Sequence, residues 1–297
     1  VFGKVEDPAI LARLPEGARG KGYVADVSGL VPAKVPEMAN NFGGTPTAPL
    51  LFVGRRLGTL ARWPNADYTS FSKAVDKGTV VTRRPDGGTV RTPGAFIYDN
   101  PRAKRWNFAE GVWMNGYWTH DWDNHSVRAA SYGAENGTND VIRLAAIIPY
   151  GVMGGTWGRK ERRFYVFNLL DELDAPGEWW LDRAKKLLYL YPPKGAPCAE
   201  DEVTLTFSSE PILRGTNVSH LRFERLDFEY GYGNGVAVRG DDIRFLDCRA
   251  ANLGGTGLNV CGNHNVLRGC EVYNCGRAGI SVSGGDRKTL TKAETLV

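Results

Sequence analysis

The sequence predicts an all-β protein: a right-handed parallel β-helix of 22-residue coils with an antiparallel β-sandwich-like domain attached. Three observations carry that expectation. Glycines recur in two columns 22 residues apart, Gly235, Gly257 and Gly279, then Gly240, Gly262 and Gly284. Apolar residues keep the same step: Val236, Leu258 and Ile280; Val238, Val260 and Val282; Phe223, Phe245 and Leu267. Upstream the period is absent, and all eight tryptophans lie before residue 181.

A fixed period of this length is the mark of a solenoid, in which each repeat buries its apolar face against the next. Within each unit the apolar residues alternate, Val236 with Val238 and Leu258 with Val260, which is strand periodicity with one face inward. Glycine and asparagine punctuate the strands where the chain must turn. Three short strands and three turns close one coil, and equivalent positions then stack roughly 4.8 Å apart. A leucine-rich repeat has a similar length but needs leucines at fixed offsets, and no such frame is present. Asn252 and Asn274 share a column, so an asparagine ladder is expected at one turn.

Residues 1–49 read as an irregular N-terminal segment. Asp7-Pro8 opens a short helix reaching about Leu14, with Asp capping and Pro at the first helical position. Residues 50–202 read as the β-rich, sandwich-like domain. Hairpins are expected for 50–53 with 57–61 and for 179–182 with 187–191, and short helices at 71–75 and 169–173. Residues 203–297 hold the coils. Residues 203–207 and 212–215 are expected to start the stack, since Leu213-Arg214-Gly215 echoes Val238-Arg239-Gly240.

Composition narrows the function classes. The profile, 42% hydrophobic and 24% charged, is that of a globular protein. A net charge of +4, dispersed along the chain, does not suggest a nucleic-acid partner. No apolar run reaches transmembrane length, so no membrane partner is expected. The five cysteines (Cys198, Cys248, Cys261, Cys270, Cys275) lack zinc-site spacing, and Cys248 and Cys270 fall in one inward column as core-filling thiols. His120 and His125 are five apart with no glutamate after the first, unlike a zincin. No metal and no cofactor are expected.

Several motifs resemble a known family. These are Leu60-Ala61-Arg62-Trp63-Pro64-Asn65, then Gly116-Tyr117-Trp118 with Asp121-Trp122, then Asn168-Leu169-Leu170-Asp171-Glu172-Leu173-Asp174 running to Pro176-Gly177-Glu178-Trp179-Trp180, then Leu188-Tyr189-Leu190-Tyr191-Pro192-Pro193, and Gly284-Gly285-Asp286-Arg287-Lys288-Thr289-Leu290-Thr291. The pattern is similar to bacterial β-helix proteins of carbohydrate breakdown, glycoside hydrolase family 141 (fucosidase and xylanase-like) among them. The resemblance covers nearly the whole chain. It implies a glycoside hydrolase, or part of one, acting on plant or microbial polysaccharide and secreted or periplasmic. It also implies further coils, with the catalytic aspartates in them, beyond Val297. The chain is thus expected to be a fragment whose partner is the remainder of its own sequence, and to be inactive alone.

Candidate residues follow from the strand before Leu226, Cys248 and Cys270, the usual binding sheet in such relatives. Leu221, Phe223, Ile243 and Phe245 would face inward. Arg222, Glu224, Arg244 and Arg268 would face outward, with Asp247 at the strand end. Arginine forks suit carboxylated or hydroxyl-rich sugars, although a solvated charged face is the plainer account. His220, Asp242 and His264 form a second column that could orient substrate, or a hydrogen-bonded turn ladder. Trp118 and Trp122 are substrate-stacking candidates, with domain core as the plainer reading. Hydrolysis needs two carboxyls, and Glu224 with Asp247 is the pair whose spacing could serve. A polysaccharide lyase would need clustered acids for Ca²⁺, which the outward strip lacks. A non-catalytic glycan-binding segment is the remaining alternative.

Overall fold

The computed structural model describes residues 1–39, 41–42, 49–78, 81–83, 89–153, 162–195 and 203–297. Two compact units form, one from residues 1–43 and 58–201, the other from residues 44–57 and 202–297.

In the first unit, residues 1–39 are more regular than an irregular segment. Asp7 accepts the Ala9 N–H at 2.8 Å and caps the helix Pro8–Arg13, as its sequence requires. Gly3–Lys4 and Tyr23–Asp26 join Leu187–Leu190, Glu178–Asp182 and Thr59–Leu60 in a five-stranded sheet. The expected hairpin is there, with Trp179 opposite Leu190 and Asp182 opposite Leu187. Ile10 and Leu14 pack with Leu170, Leu173, Trp180 and Tyr189. A 3-10 turn, Leu170–Glu172, stands in place of the expected short helix.

The larger sheet is antiparallel and runs Arg62–Trp63, Arg163–Phe167, Trp113–Tyr117, Asn124–Glu135, Thr138–Leu144, Ala95–Ile97 and Lys73–Asp76. Residues 71–75, expected as a helix, are extended instead. Thr69–Ser70 pairs with Arg163–Phe167 while Lys73–Asp76 pairs with Ala95–Ile97. One segment therefore pairs at both ends of the sheet. Phe71, Phe96, Met114, Trp118, Ile142 and Phe164 fill the interior. So this sheet curls around a core of its own. Gly116 is required where it pairs with Phe164, because a Cβ there would meet Phe164 Cβ at 2.6 Å.

The second unit is a right-handed parallel β-helix. Leu213–Glu224, Val236–Leu246, Leu258–Cys261 with Val266–Arg268, and Ile280–Ser283 stack in one parallel sheet. Asp227–Glu229, Arg249–Leu253 and Glu271–Cys275 stack in a second. Val236, Leu258 and Ile280 are register partners, as the 22-residue step predicts. Leu213 pairs with Val236, not Val238, because Asn217 adds a residue in a bulge. Val203–Leu205 pairs antiparallel with Leu51–Val53, which forms a hairpin with Arg56–Leu57. It does not begin the stack. After Ile280–Ser283 the chain reaches back beside the previous rung, where Leu296 bridges Val266 in parallel, and Val297 is exposed.

Corners are built by columns of left-handed residues. His220, Asp242 and His264 have φ of 58°, 51° and 56°; Arg225, Asp247 and Gly269 have 54°, 51° and 65°. Asn252 and Asn274 continue the same device, and the expected ladder closes with Asn274 Nδ2 donating to Asn252 Oδ1 at 3.2 Å. Asp and Asn tolerate this region better than most side chains. At Gly262 a Cβ would lie 2.0 Å from the Gly240 carbonyl oxygen, so the tight stacking requires glycine in that column. Inside, Val236, Ile243, Phe245, Leu258 and Leu267 are buried, with the Phe223 and Phe245 rings stacked at 4.9 Å. Cys248 Sγ and Cys270 Sγ each approach a backbone carbonyl of the preceding coil, at 3.6 and 3.5 Å, and burial pushes the Cys270 thiol up.

Candidate functional site

The outward strip expected from the sequence exists, but its charges are committed to one another. Arg222 donates to Glu224 Oε2 at 2.9 and 2.6 Å, two residues along the same strand. Arg244 donates to Asp242 Oδ1 at 3.2 and 3.1 Å, and His220 Nδ1 lies 2.8 Å from Asp242 Oδ2. His264 turns away from that pair to Glu294, at 3.2 Å. The His-Asp-His column is therefore a corner of the coil joined in one rung and not the next.

These contacts decide what the carboxyls can do. The Arg222 guanidinium holds Glu224 below the usual carboxylate range, and His220 followed by Arg244 does the same to Asp242. Both are ionised at neutral pH, unlike the proton donor that glycoside hydrolysis requires. Glu224 is in register with Leu246 and Arg268. Asp247 stands in the neighbouring corner column, its Oδ1 2.2 Å from where a Gly269 Cβ would be. Glu224 is tied to Arg222 along the strand, and Asp247 follows Leu246, the register partner of Glu224, at the corner. The aspartates expected beyond Val297 lie outside the described residues.

A different part of the same sheet is concave. Strand register places Arg214, Ala237, Asn259 and Ser281 in one outward column and Thr216, Arg239, Cys261 and Ser283 in the next. Ala237 is small between two longer neighbours. A cleft of about 280 Å³ forms over it, lined by Arg214, Thr216, Arg239, Asn259 and Cys261. Glu210 holds Arg214 at 2.5 Å, and among the described residues Arg239 makes no ion pair. No carboxylate lines the cleft among the described residues. It presents guanidinium and amide donors with a hydroxyl and a thiol, a set that grips oxygen-rich ligands. Sequence reading missed it because its outward columns change residue type at every rung, Arg, Ala, Asn and Ser.

In the first unit, Trp118 is 0% exposed, packed among Phe96 and Phe164 and donating its indole N–H to the His125 carbonyl at 3.0 Å. It belongs to the core and has no free ring face for a sugar. Trp122 is 60% exposed, lies flat on His120 with centroids 5.1 Å apart, and meets Tyr150 edge-on. His125 pairs with the buried Asp123 at 2.7 Å.

Against known proteins, residues 211–295 match a family described as "Right handed beta helix region". A solved structure titled "Glycoside hydrolase" superposes with a TM-score of 0.60 at 19% sequence identity. The alignment covers 90% of this chain and 51% of that one, so the chain spans about half the length of that protein. A comparison with curated proteins finds no match. Fold and register together place this chain among proteins similar to the right-handed β-helices.

Proposed function

We propose that this chain engages a glycan across the outer face of the coil strands, as the substrate-holding part of a β-helix protein of glycoside hydrolase type. The observation that carries the reading is the cleft over Ala237, where Arg214, Arg239 and Asn259 converge on one face of stacked parallel strands. Equivalent positions on successive coils repeat at the interstrand spacing, so a linear polymer can run along the stack and meet a polar side chain at each rung. The fold likeness to a protein titled glycoside hydrolase agrees with a carbohydrate ligand. The ligand class is a plant or microbial polysaccharide, met outside the cytoplasm. Glu224, tied to Arg222, serves in this reading as part of the holding surface.

Arg239→Ala tests the reading in affinity electrophoresis against a polysaccharide panel. Loss of the unpaired guanidinium is expected to weaken binding by about tenfold, the range for a hydrogen bond to a charged group. Arg222→Ala, whose guanidinium is already occupied by Glu224, should change it little. Retention of the polymer by Arg239→Ala at wild-type strength would remove the cleft from the ligand path.

A further inference from the structure

The first unit has a cleft of its own, about 200 Å³, walled by Trp113, Arg128, Asn168, Arg183, Glu110 and Glu37. Arg183 is its unusual member. Its Nη2 is buried and, among the described residues, has no hydrogen-bond partner. The remaining contacts are long, Nη1 to Asn168 Oδ1 at 3.4 Å and Nε to the Pro36 carbonyl at 3.5 Å. Among the described residues no carboxylate reaches it within ion-pair distance. Glu110 is held in a fork by Arg13, at 2.8 and 2.7 Å. Burial pushes the Arg183 guanidinium down from its ordinary value, with Glu37 opposing at longer range. A desolvated cation lacking a partner destabilises the fold unless a ligand supplies the missing charge.

The rest of the cleft is arranged around that cation. Asn168 Nδ2 donates to the Gly111 carbonyl at 2.9 Å, which leaves its Oδ1 toward Arg183. Arg128 Nε and Trp113 Nε1 lie 3.6 and 3.8 Å from where a Gly111 Cβ would be, so a second guanidinium and an indole N–H face the same place. We propose that this cleft binds a hexuronate residue, its carboxylate on Arg183 Nη2 and its hydroxyls at Arg128 and the Trp113 indole N–H. The planar guanidinium fork matches a carboxylate, and N–H donors suit sugar hydroxyls. A doubly charged phosphate is disfavoured by Glu37 and Glu110 at the same cleft. The carboxylate half of the proposal stands on the cleft alone; the sugar half rests on the glycan reading above.

Titration calorimetry of residues 1–297 with glucuronate, galacturonate, glucose, acetate and inorganic phosphate tests it. A uronate is expected to bind, and to bind at least about tenfold more tightly than glucose, acetate or phosphate. Arg183→Gln should weaken uronate binding by about the same factor with an unchanged circular-dichroism spectrum. Should Arg183→Gln unfold, Arg128→Gln on an exposed side chain carries the test, with weaker uronate binding expected. Acetate binding as tightly as uronate would overturn the sugar half. Glucose binding as tightly as uronate, no uronate binding, or wild-type affinity in the folded variant would overturn the whole. Arg239→Ala should leave uronate affinity intact while polymer retention falls, so this site and the coil cleft fail separately.

Discussion

The two units bury polar groups differently. In the coils Asn252 and Asn265 are buried neutral amides. Asn265 accepts the Ile243 N–H at 2.9 Å and donates to the Gly240 carbonyl at 3.1 Å, and Asn274 donates to Asn252. In the antiparallel unit neutral Asn115, Ser126 and Asn168 are joined by the buried carboxyls Asp123, Asp171, Glu172 and Glu178. Glu172, 0% exposed, is met by Arg102, by Arg105 at 3.2 Å and by the Trp106 indole at 2.7 Å. Glu178 accepts the N–H groups of Arg62, Asp174 and Ala175 at 3.2, 2.9 and 2.9 Å. Asp171 is forked by Arg13. A stack supplies the same partner at every rung, so a neutral amide suffices. A non-repeating unit must draw partners from distant segments, and charge-assisted bonds hold them there.

Breaking the rung geometry should have the largest effect. Gly262→Val would place a Cβ 2.0 Å from the Gly240 carbonyl oxygen, at a residue whose φ is +132°. A loss of more than about 4 kcal/mol is expected, with amide-exchange protection gone from the coil strands and kept in residues 113–117. Uniform loss over both units would show that the clash is not local. Filling of the coil comes next. Phe245→Ala should cost about 3–5 kcal/mol in urea, since the ring is fully buried and stacked on Phe223. An unchanged midpoint would mean that the register is wrong.

The buried carboxyls sharpen the contrast through pH. Burial pushes Glu178 up to about 7, and raises Glu172 as well. An acid raised in the folded state contributes stability that is fully present below its unfolded value, near 4.5, and is lost as pH rises through the folded value. The antiparallel unit should therefore weaken by up to about 3 kcal/mol between pH 4.5 and 7. Glu178→Gln should flatten that slope. The coil carboxyls Glu224 and Asp242 are depressed, so their contribution falls away only on acidification. Amide exchange in the two units at pH 5 and 7 separates them; equal slopes would contradict the comparison.

The same contrast explains what could be read from the sequence. Every rung of the coil writes the same constraint again, so the glycine columns, the Phe223-Phe245-Leu267 column and the Asn252-Asn274 ladder are all visible as spacing. The antiparallel unit states each constraint once. Phe71, Ala74 and Val75 are spaced like one face of a helix, yet pairing at both edges of the sheet makes residues 69–76 extended. Nothing local marks Glu172 or Glu178 as buried, because their partners lie as far as residue 62 or residue 102. The outward candidates fall on the correct face, but spacing does not disclose their pairing within the strand. The cleft over Ala237 escapes notice because it depends on one small residue between long neighbours, and Arg183 because its isolation is a property of the packed unit alone.

We propose that the described coils hold a glycan without cleaving it. The direct test incubates residues 1–297 with fucosylated glycans and xylan, following retention of polymer and release of reducing ends together. Retention that depends on Arg239, with no release of reducing ends, is the predicted result. Robust release that disappears in Glu224→Gln or Asp247→Asn would contradict that proposal and make these coils catalytic.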